Sequence, residues 1–373
     1  MAFPLFLLSL VSSAVADELL FVQAVWRHGD RTPSQSYPSD PYNTTFWKLP
    51  EGELTKIGMK QQFVQGKRLR KIYIEDLKFL PSTYYRDDVV VRSATEPRCL
   101  QSAESNLAGF YSSSPTHPSD VPSWPSDWTP IPIHSVPVEE DLILETGAKC
   151  ERMLELTKER EATVQFANFL ANNWMIFATF SANGGGQVAP SYISIHHLWK
   201  SCNIEKKYHN LTLPSWITDS LYNQLGEAER ASRDFVNGAE GFGLEEETEL
   251  VKLRGGFLLK EWIANLEEAG AGGKYPKYKA YSAHDSTIVA LLHTLGAKFS
   301  LLDREVPEFA ATLITELWRR NGEMHFVYLP DAFSTERTVT SLVRGCPKDS
   351  DFCPLSTLKK TTEKHIANNK DCL

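Results

Sequence analysis

The sequence predicts an α/β protein, a central sheet flanked by helices and interrupted by a smaller, mostly helical cap. Three observations carry that expectation. Short β-prone runs at Leu19–Trp26, Asp88–Arg92 and Tyr278–Tyr281 each end in turn residues and lead onward to helix-compatible stretches. Residues 138–251 mix polar and apolar side chains at helical spacing and contain no convincing strand. Sheet character then returns at Thr315–Trp318 and Met324–Leu329. The expected organisation is a leader at 1–16, an α/β domain formed by 17–137 and 252–373, and a helical cap inserted at 138–251.

The leader, MAFPLFLLSLVSSAVA, has an apolar centre and ends in small residues, the pattern of a secretory signal peptide cleaved after Ala16. It is too short to span a bilayer. No later apolar run is long enough to cross one, and nothing after Cys372 resembles a lipid or tail anchor. A soluble, secreted or lumenal protein is expected. Two N-glycosylation sequons, at Asn43 (N-T-T) and Asn210 (N-L-T), fit that destination. So does an even count of six cysteines, none of them in a C-x-x-C pair that would suggest a zinc ribbon or a thioredoxin-type site. The formal net charge is −8 and no basic run occurs, which excludes nucleic acid as an expected partner.

The first strand ends in Arg27, His28, Gly29, Asp30 and Arg31, within LLFVQAVWRHGDRTP. In open α/β sheets ligands sit at strand ends of this kind. Guanidinium forks match phosphate oxygens in a bidentate way. A histidine held between them can itself attack phosphorus, and Gly29 lets the backbone approach what binds. Residues 34–50 read as an irregular surface segment. A helix then starts near Leu54, with Met59, Phe63, Gly66 and Tyr73 expected inward and Lys60, Lys67 and Lys71 toward water. Asp88–Arg92 delivers Arg92 to a second strand-to-helix loop, ahead of a helix over Glu96–Tyr111. Residues 112–137, rich in Pro and Trp, are expected to run extended over the surface.

Within the cap, Glu151–Phe180 and Ser220–Val236 read as helical. Gly184, Gly185 and Gly186 form a flexible turn, because no Gly-Lys-Ser/Thr follows to make a phosphate loop. His196 and His197 are set aside as metal ligands, since adjacent residues on a strand point apart and no partners are in view. The third strand ends in Ser282, Ala283, His284 and Asp285, with Ser286 or Thr287 expected to cap a helix over Ile288–Leu295. Other hydrolase signatures are missing. There is no G-x-S-x-G, no cysteine with an arginine six positions on, and no D-x-D-x-T/V.

The set Arg27, His28, Arg31, Arg92, His284 and Asp285 resembles the site of the histidine acid phosphatases, branch two of the histidine phosphatase superfamily. The likeness extends through ELTKIGMKQ at Glu53, VRSATEPRCLQSAESNLAG at Val91, PIPIHSVPVEED at Pro130, LTLPSWITD at Leu211, LRGGFLL at Leu253, YSAHDST at Tyr281 and TELW at Thr315. These blocks, in this order, look like the animal prostatic and lysosomal acid phosphatases over the whole mature chain. The resemblance implies a mixed central sheet, and His28 as a nucleophile forming phosphohistidine. It further implies Arg27, Arg31, Arg92 and His284 as binders of a phosphate monoester, and Asp285 as proton donor. No cofactor and no metal are implied. It pairs Cys150 with Cys372 and Cys346 with Cys353. Thr312 stands where the family has a cysteine whose partner matches Cys202, so Cys202 and Cys99 are left over, and a bond between them is an open option. A homodimer through the region of Trp124 is also implied. Two alternatives share these motifs: a phytase or inositol-polyphosphate phosphatase, and a non-catalytic secreted phosphate-binding protein.

Overall fold

The computed structural model describes residues 17–373 apart from 113, 115, 117, 119, 126, 127 and 321; the expected leader, 1–16, lies outside the described residues. Strand β1 (Leu19–Arg27) is followed by the short helix α1 (Thr44–Trp47) and by α2 (Lys56–Arg70). Next come β2 (Val89–Ser93), α3 (Pro97–Phe110) and β3 (Ile133–His134). Helices α4 (Glu151–Glu161), α5 (Val164–Asn172), α6 (Trp174–Asn183), α7 (Tyr192–Asn203), α8 (Asp219–Val236) and α9 (Thr248–Gly270) fill the middle of the chain. The chain then makes β4 (Tyr278–Ala283), α10 (Asp285–Thr294), α11 (Lys298–Leu302), β5 (Thr312–Trp318) and β6 (Glu323–Leu329). It finishes with β7 (Arg337–Thr338), β8 (Cys353–Pro354) and α12 (Leu355–Thr362).

The sheet is mixed, as expected. Its order is β3-β2-β4-β1-β5-β6-β7, with β8 also on β6. Strands β3, β2, β4 and β1 run parallel, and β5 turns antiparallel against β1. Strand β1 is covered on both faces, which is why it reads as an apolar run. Phe21 and Val25 pack with Leu259, Trp262 and Leu292 from α9 and α10 on one side. Val22, Ala24 and Trp26 pack with Leu69 and Leu107 from α2 and α3 on the other. Alternation along a pleated strand makes the two layers meet there. The helical segment has apolar clusters of its own, one around Phe180, Ile195, Leu198 and Leu225 and another around Phe166 and Phe235. The expected junction at 251/252 falls inside the continuous helix α9.

Four local expectations need correction. Helix α2 buries Gly58, Gln62, Gln65, Gly66 and Leu69, whereas Met59 and Phe63 are exposed. The reason is backbone contact: a Cβ at Gly66 would lie 1.9 Å from the Asn106 carbonyl oxygen, and one at Gly109 would lie 2.1 Å from that of Phe63. Two helices that close leave room for glycine and for side chains that donate to strand ends, not for Met or Phe. Gln62 accordingly donates to the Arg27 carbonyl at 2.8 Å, and Gln65 to Thr312 Oγ1 at 2.8 Å. Helix α10 starts at Asp285 with His284 at the cap position, one turn earlier than expected, and Thr287 closes a capping box. The stretch 151–180 is broken into α4, α5 and the start of α6, with Thr163 capping α5. His196 and His197 lie on helix α7, not on a strand. Cys150 is bonded to Cys372 and Cys346 to Cys353, while Cys99 and Cys202 are buried free thiols.

Candidate active site

Three adjacent parallel strands, β2, β4 and β1, end at one edge of the sheet. Arg27 lies opposite Ala283, and Ser93 lies opposite Ser282, so the loops that follow start side by side. The first carries His28 to Pro33, the second Ala94 to Arg98, and the third His284 and Asp285. Gly29 is required here by packing rather than by a ligand: a Cβ on it would sit 2.4 Å from the Gly58 carbonyl oxygen in α2. Its N–H donates to Ser102 Oγ of α3 at 3.0 Å, which fastens the loop to both helices.

His28 is buried, and its Nδ1 lies 2.8 Å from the Gly29 carbonyl oxygen. A carbonyl can only accept, so Nδ1 carries the proton and Nε2 holds the lone pair. Burial and then the charges of Arg98, Arg27, His284 and Arg31 hold the imidazole well below its ordinary range, so it is neutral and nucleophilic in acid. The His284 ring stands edge-on to it, with centroids 5.6 Å apart.

Arg27 is fixed by donation to the Pro307 carbonyl at 2.6 Å and by Phe309, whose ring centroid is 4.0 Å from the guanidinium carbon. Its Nη2 lies 3.4 Å from Asp285 Oδ2. Arg31 donates to the Thr32 carbonyl. Burial, then Arg98 and Arg27, push Arg31 down from its ordinary range, the signature of cations gathered around a place for an anion. Among the described residues, the Nε groups of Arg27, Arg31 and Arg98, like that of Arg92, are buried with no hydrogen-bond partner.

Arg92 is not one of these cations. Its guanidinium donates to Asp141 Oδ1 at 2.6 Å and lies 3.7 Å from Glu261. Asp141 also accepts the N–H groups of Ile143 and Leu144, so Arg92 ties the turn before α4 to the sheet. The charge that acts most strongly on both His28 and Arg31 is Arg98, six residues on and in the first turn of α3. Sequence reasoning stopped at the strand end. The signal that finds Arg98 is that the first turn of a helix points at the same place as the loop before it.

His284 Nε2 lies 3.0 Å from Glu145 and 3.2 Å from Glu96. Burial alone would lower its proton affinity; Cys99 and the two glutamates outweigh that and keep it protonated. Asp285 is the first residue of α10, and its Oδ1 accepts from the Ser286 N–H at 3.0 Å. Lys200, from α7 in the helical segment, bonds its Oδ2 directly. Burial would raise the Asp285 carboxyl, but Lys200 and Arg27 hold it well below the usual carboxylate range. His209, also from that segment, lies 2.9 Å from Asp30 Oδ2. Neither Lys200 nor His209 was legible in the sequence, because each reaches the site only by docking of the helical segment. A cavity of about 370 Å³ opens beside Asp285 and Ser286, lined by Tyr192, Lys200, Arg233 and Arg254.

Arg98, Arg27, His284 and Arg31 are thus the charged groups that bear on the buried His28. The family model described as histidine phosphatase superfamily (branch 2) matches residues 18–330. The chain is 32% identical to the lysosomal acid phosphatase of Rattus norvegicus over 365 residues, which cover 96% of this chain and 81% of that protein. It is 33% identical to the prostatic acid phosphatase of Homo sapiens over 352 residues, covering 92% and 84%. Among solved structures, the phytase of Klebsiella sp ASR1 shares the fold with a TM-score of 0.63 at 14% identity, over 93% of this chain and 96% of that one. With the fold, the strand-end loops and these likenesses over nearly the whole length in agreement, the chain belongs to branch 2 of the histidine phosphatase superfamily.

Proposed function

We propose that this protein is an acid phosphatase that hydrolyses phosphate monoesters through a phosphohistidine on His28. The observation that carries the reading is the neutral His28, its Nδ1 proton spent on Gly29 and its Nε2 free among four cationic side chains. Nε2 attacks phosphorus, the bond from phosphorus to the ester oxygen breaks, and that oxygen takes a proton from Asp285. Water then attacks phosphorus, gives its proton to Asp285, and the P–N bond breaks to release phosphate. Arg27, Arg31 and Arg98 with His284 stabilise the charge that builds on the equatorial oxygens.

Lys200 and Arg27 keep Asp285 ionised before substrate binds. A monoanionic ester therefore carries the proton in, and its oxygens draw Arg27 away from the carboxylate. The second ionisation of a phosphate monoester lies near about pH 6, so kcat/KM falls as pH rises through that region. The polyphosphate alternative finds less support in the cavity beside Asp285. Two of its three cations are paired with acids, Lys200 with Asp285 and Arg233 with Glu229, while Arg254 donates to Thr146 and Thr157.

Secretion through the 1–16 leader, a capping role for residues 138–251, self-association near Trp124 and glycosylation belong to the same proposal. Asn43 and Asn210 are both exposed, which suits glycan attachment. The deciding experiment is a rapid-quench assay at acidic pH with an activated aryl phosphate and an alkyl phosphate. His28→Ala should abolish turnover of both. Asp285→Asn should slow the alkyl ester far more, because only that leaving group needs a proton. Equal losses for the two esters would remove Asp285 from the acid role.

A further inference from the structure

Beneath the oxyanion pocket, three potential metal ligands from two segments converge on a fourth, His284. The nearest atoms are Glu96 Oε2 at 3.2 Å and Glu145 Oε1 at 3.0 Å from His284 Nε2, and Cys99 Sγ at 3.7 Å from both ring nitrogens. The donor atoms of Glu96, Cys99 and His284 all lie within 4.8 Å of one another. Glu96 stands at the cap position before α3 and Cys99 lies three positions on, in the first turn of the helix. Cys99 is fully buried and His284 nearly so, while the side chain of Glu96 is 26% exposed and leaves a route from solvent.

We propose that this cluster is an inhibitory site for one thiophilic divalent cation of the Zn²⁺ class. The donor set, one thiolate, one imidazole and two carboxylates, is of the kind that zinc accepts. Bond lengths of about 2.0–2.3 Å in a tetrahedron place ligand atoms about 3.3–3.6 Å apart, and the contacts to His284 at 3.0, 3.2 and 3.7 Å bracket that range. Glu96 and Glu145 approach the same nitrogen of His284 from two segments, so an ion held there would meet both carboxylates. On binding, the Cys99 thiol gives its proton to solvent.

Inhibition follows from geometry and rests on the phosphatase reading above. Cys99 Sγ is equidistant from the two nitrogens of His284, so it lies beside the ring and not along the Nε2 lone pair. To share an ion with Cys99, the ring must turn from its present position 5.6 Å from His28. That takes His284 out of the pocket.

The test uses chelator-treated protein in a phosphate-free, non-coordinating buffer. After addition of Zn²⁺ and gel filtration, one equivalent should remain bound by elemental analysis. Aryl phosphate turnover should fall at least tenfold at micromolar Zn²⁺ and return with EDTA. Cys99→Ala, or Cys99→Ser if the smaller side chain loosens the core, should retain no Zn²⁺, and its turnover, compared with its own metal-free rate, should not change when Zn²⁺ is added. With Co²⁺ the wild type should develop the thiolate charge-transfer and tetrahedral d–d bands. Zn²⁺ held equally well by the Cys99 variants, an absence of binding, or binding with activity intact would each overturn the proposal. Because stoichiometry and spectra need no turnover, a protein that binds zinc through Cys99 but cleaves no phosphate ester refutes the proposed activity and leaves the metal site standing.

Discussion

Two arginines six residues apart have opposite roles for a reason visible in their partners. Arg92 spends its charge on Asp141, which is fully buried, whereas Arg98, among the described residues, has only a carboxylate oxygen of Glu96 at 4.0 Å. Arg98→Ala should lower kcat/KM by about a hundredfold, the effect of losing one preorganised donor worth roughly 3 kcal/mol. Arg92→Ala should leave kcat/KM near that of wild type but cost about 3 kcal/mol in denaturant unfolding, because it strands the Asp141 carboxylate. The reverse pattern would restore Arg92 to the site. Lys200 offers a second test at this scale. Its ammonium stabilises ionised Asp285, so Lys200→Met lets the carboxyl keep its proton to higher pH. The alkaline limb of kcat should move to higher pH. A limb that stays in place, or moves down, would mean that Lys200 does not govern the acid.

At the scale of elements, the site depends on how closely α2 approaches α3 and the first loop. Gly66 meets Asn106 and Phe110 of α3 backbone to backbone, and Gly58 of the same helix meets the backbone of Asp30. Gly66→Ala places a methyl group where an oxygen already stands, and the helices must part. A loss of at least about 2–3 kcal/mol is expected in chemical denaturation. Unchanged stability would show that the contact can relax. The same closeness explains why the apolar face expected for α2 was wrong. Helical periodicity locates a buried stripe only when side chains fill the gap, and here glycines and glutamines line it.

For the whole molecule, one buried acid of the helical segment makes stability depend on pH. Glu205, after α7, is fully buried, and burial and then Asp40 push its carboxyl up to about 9. The unfolded chain releases that proton near the ordinary value of about 4.3, so between there and 9 the folded state binds more protons. Stability from this group is therefore complete below the unfolded pKa and is lost as pH rises toward 9. That suits a protein that works in acid. Glu205→Gln should raise Tm by roughly 2–4 °C at pH 8 and by much less at pH 4. An equal shift at both pH values would remove Glu205 as the source.

The sequence by itself determined the main strands β1, β2, β4, β5 and β6 and the loops that follow β1 and β4. Strand ends, turn residues and the pair His284 and Asp285 are local features, read from neighbours along the chain. It also named His28, Arg27 and Arg31, because one loop holds all three. Only the tertiary structure decided which later arginine joins them, since Arg92 and Arg98 share one short stretch and differ only in where the strand and the helix aim them. It alone placed Lys200 on Asp285 and left Cys99 and Cys202 apart, one in the sheet's core and one in that of the helical segment. Those outcomes depend on contacts between residues far apart in the chain, and neither periodicity nor spacing encodes the docking of one segment on another.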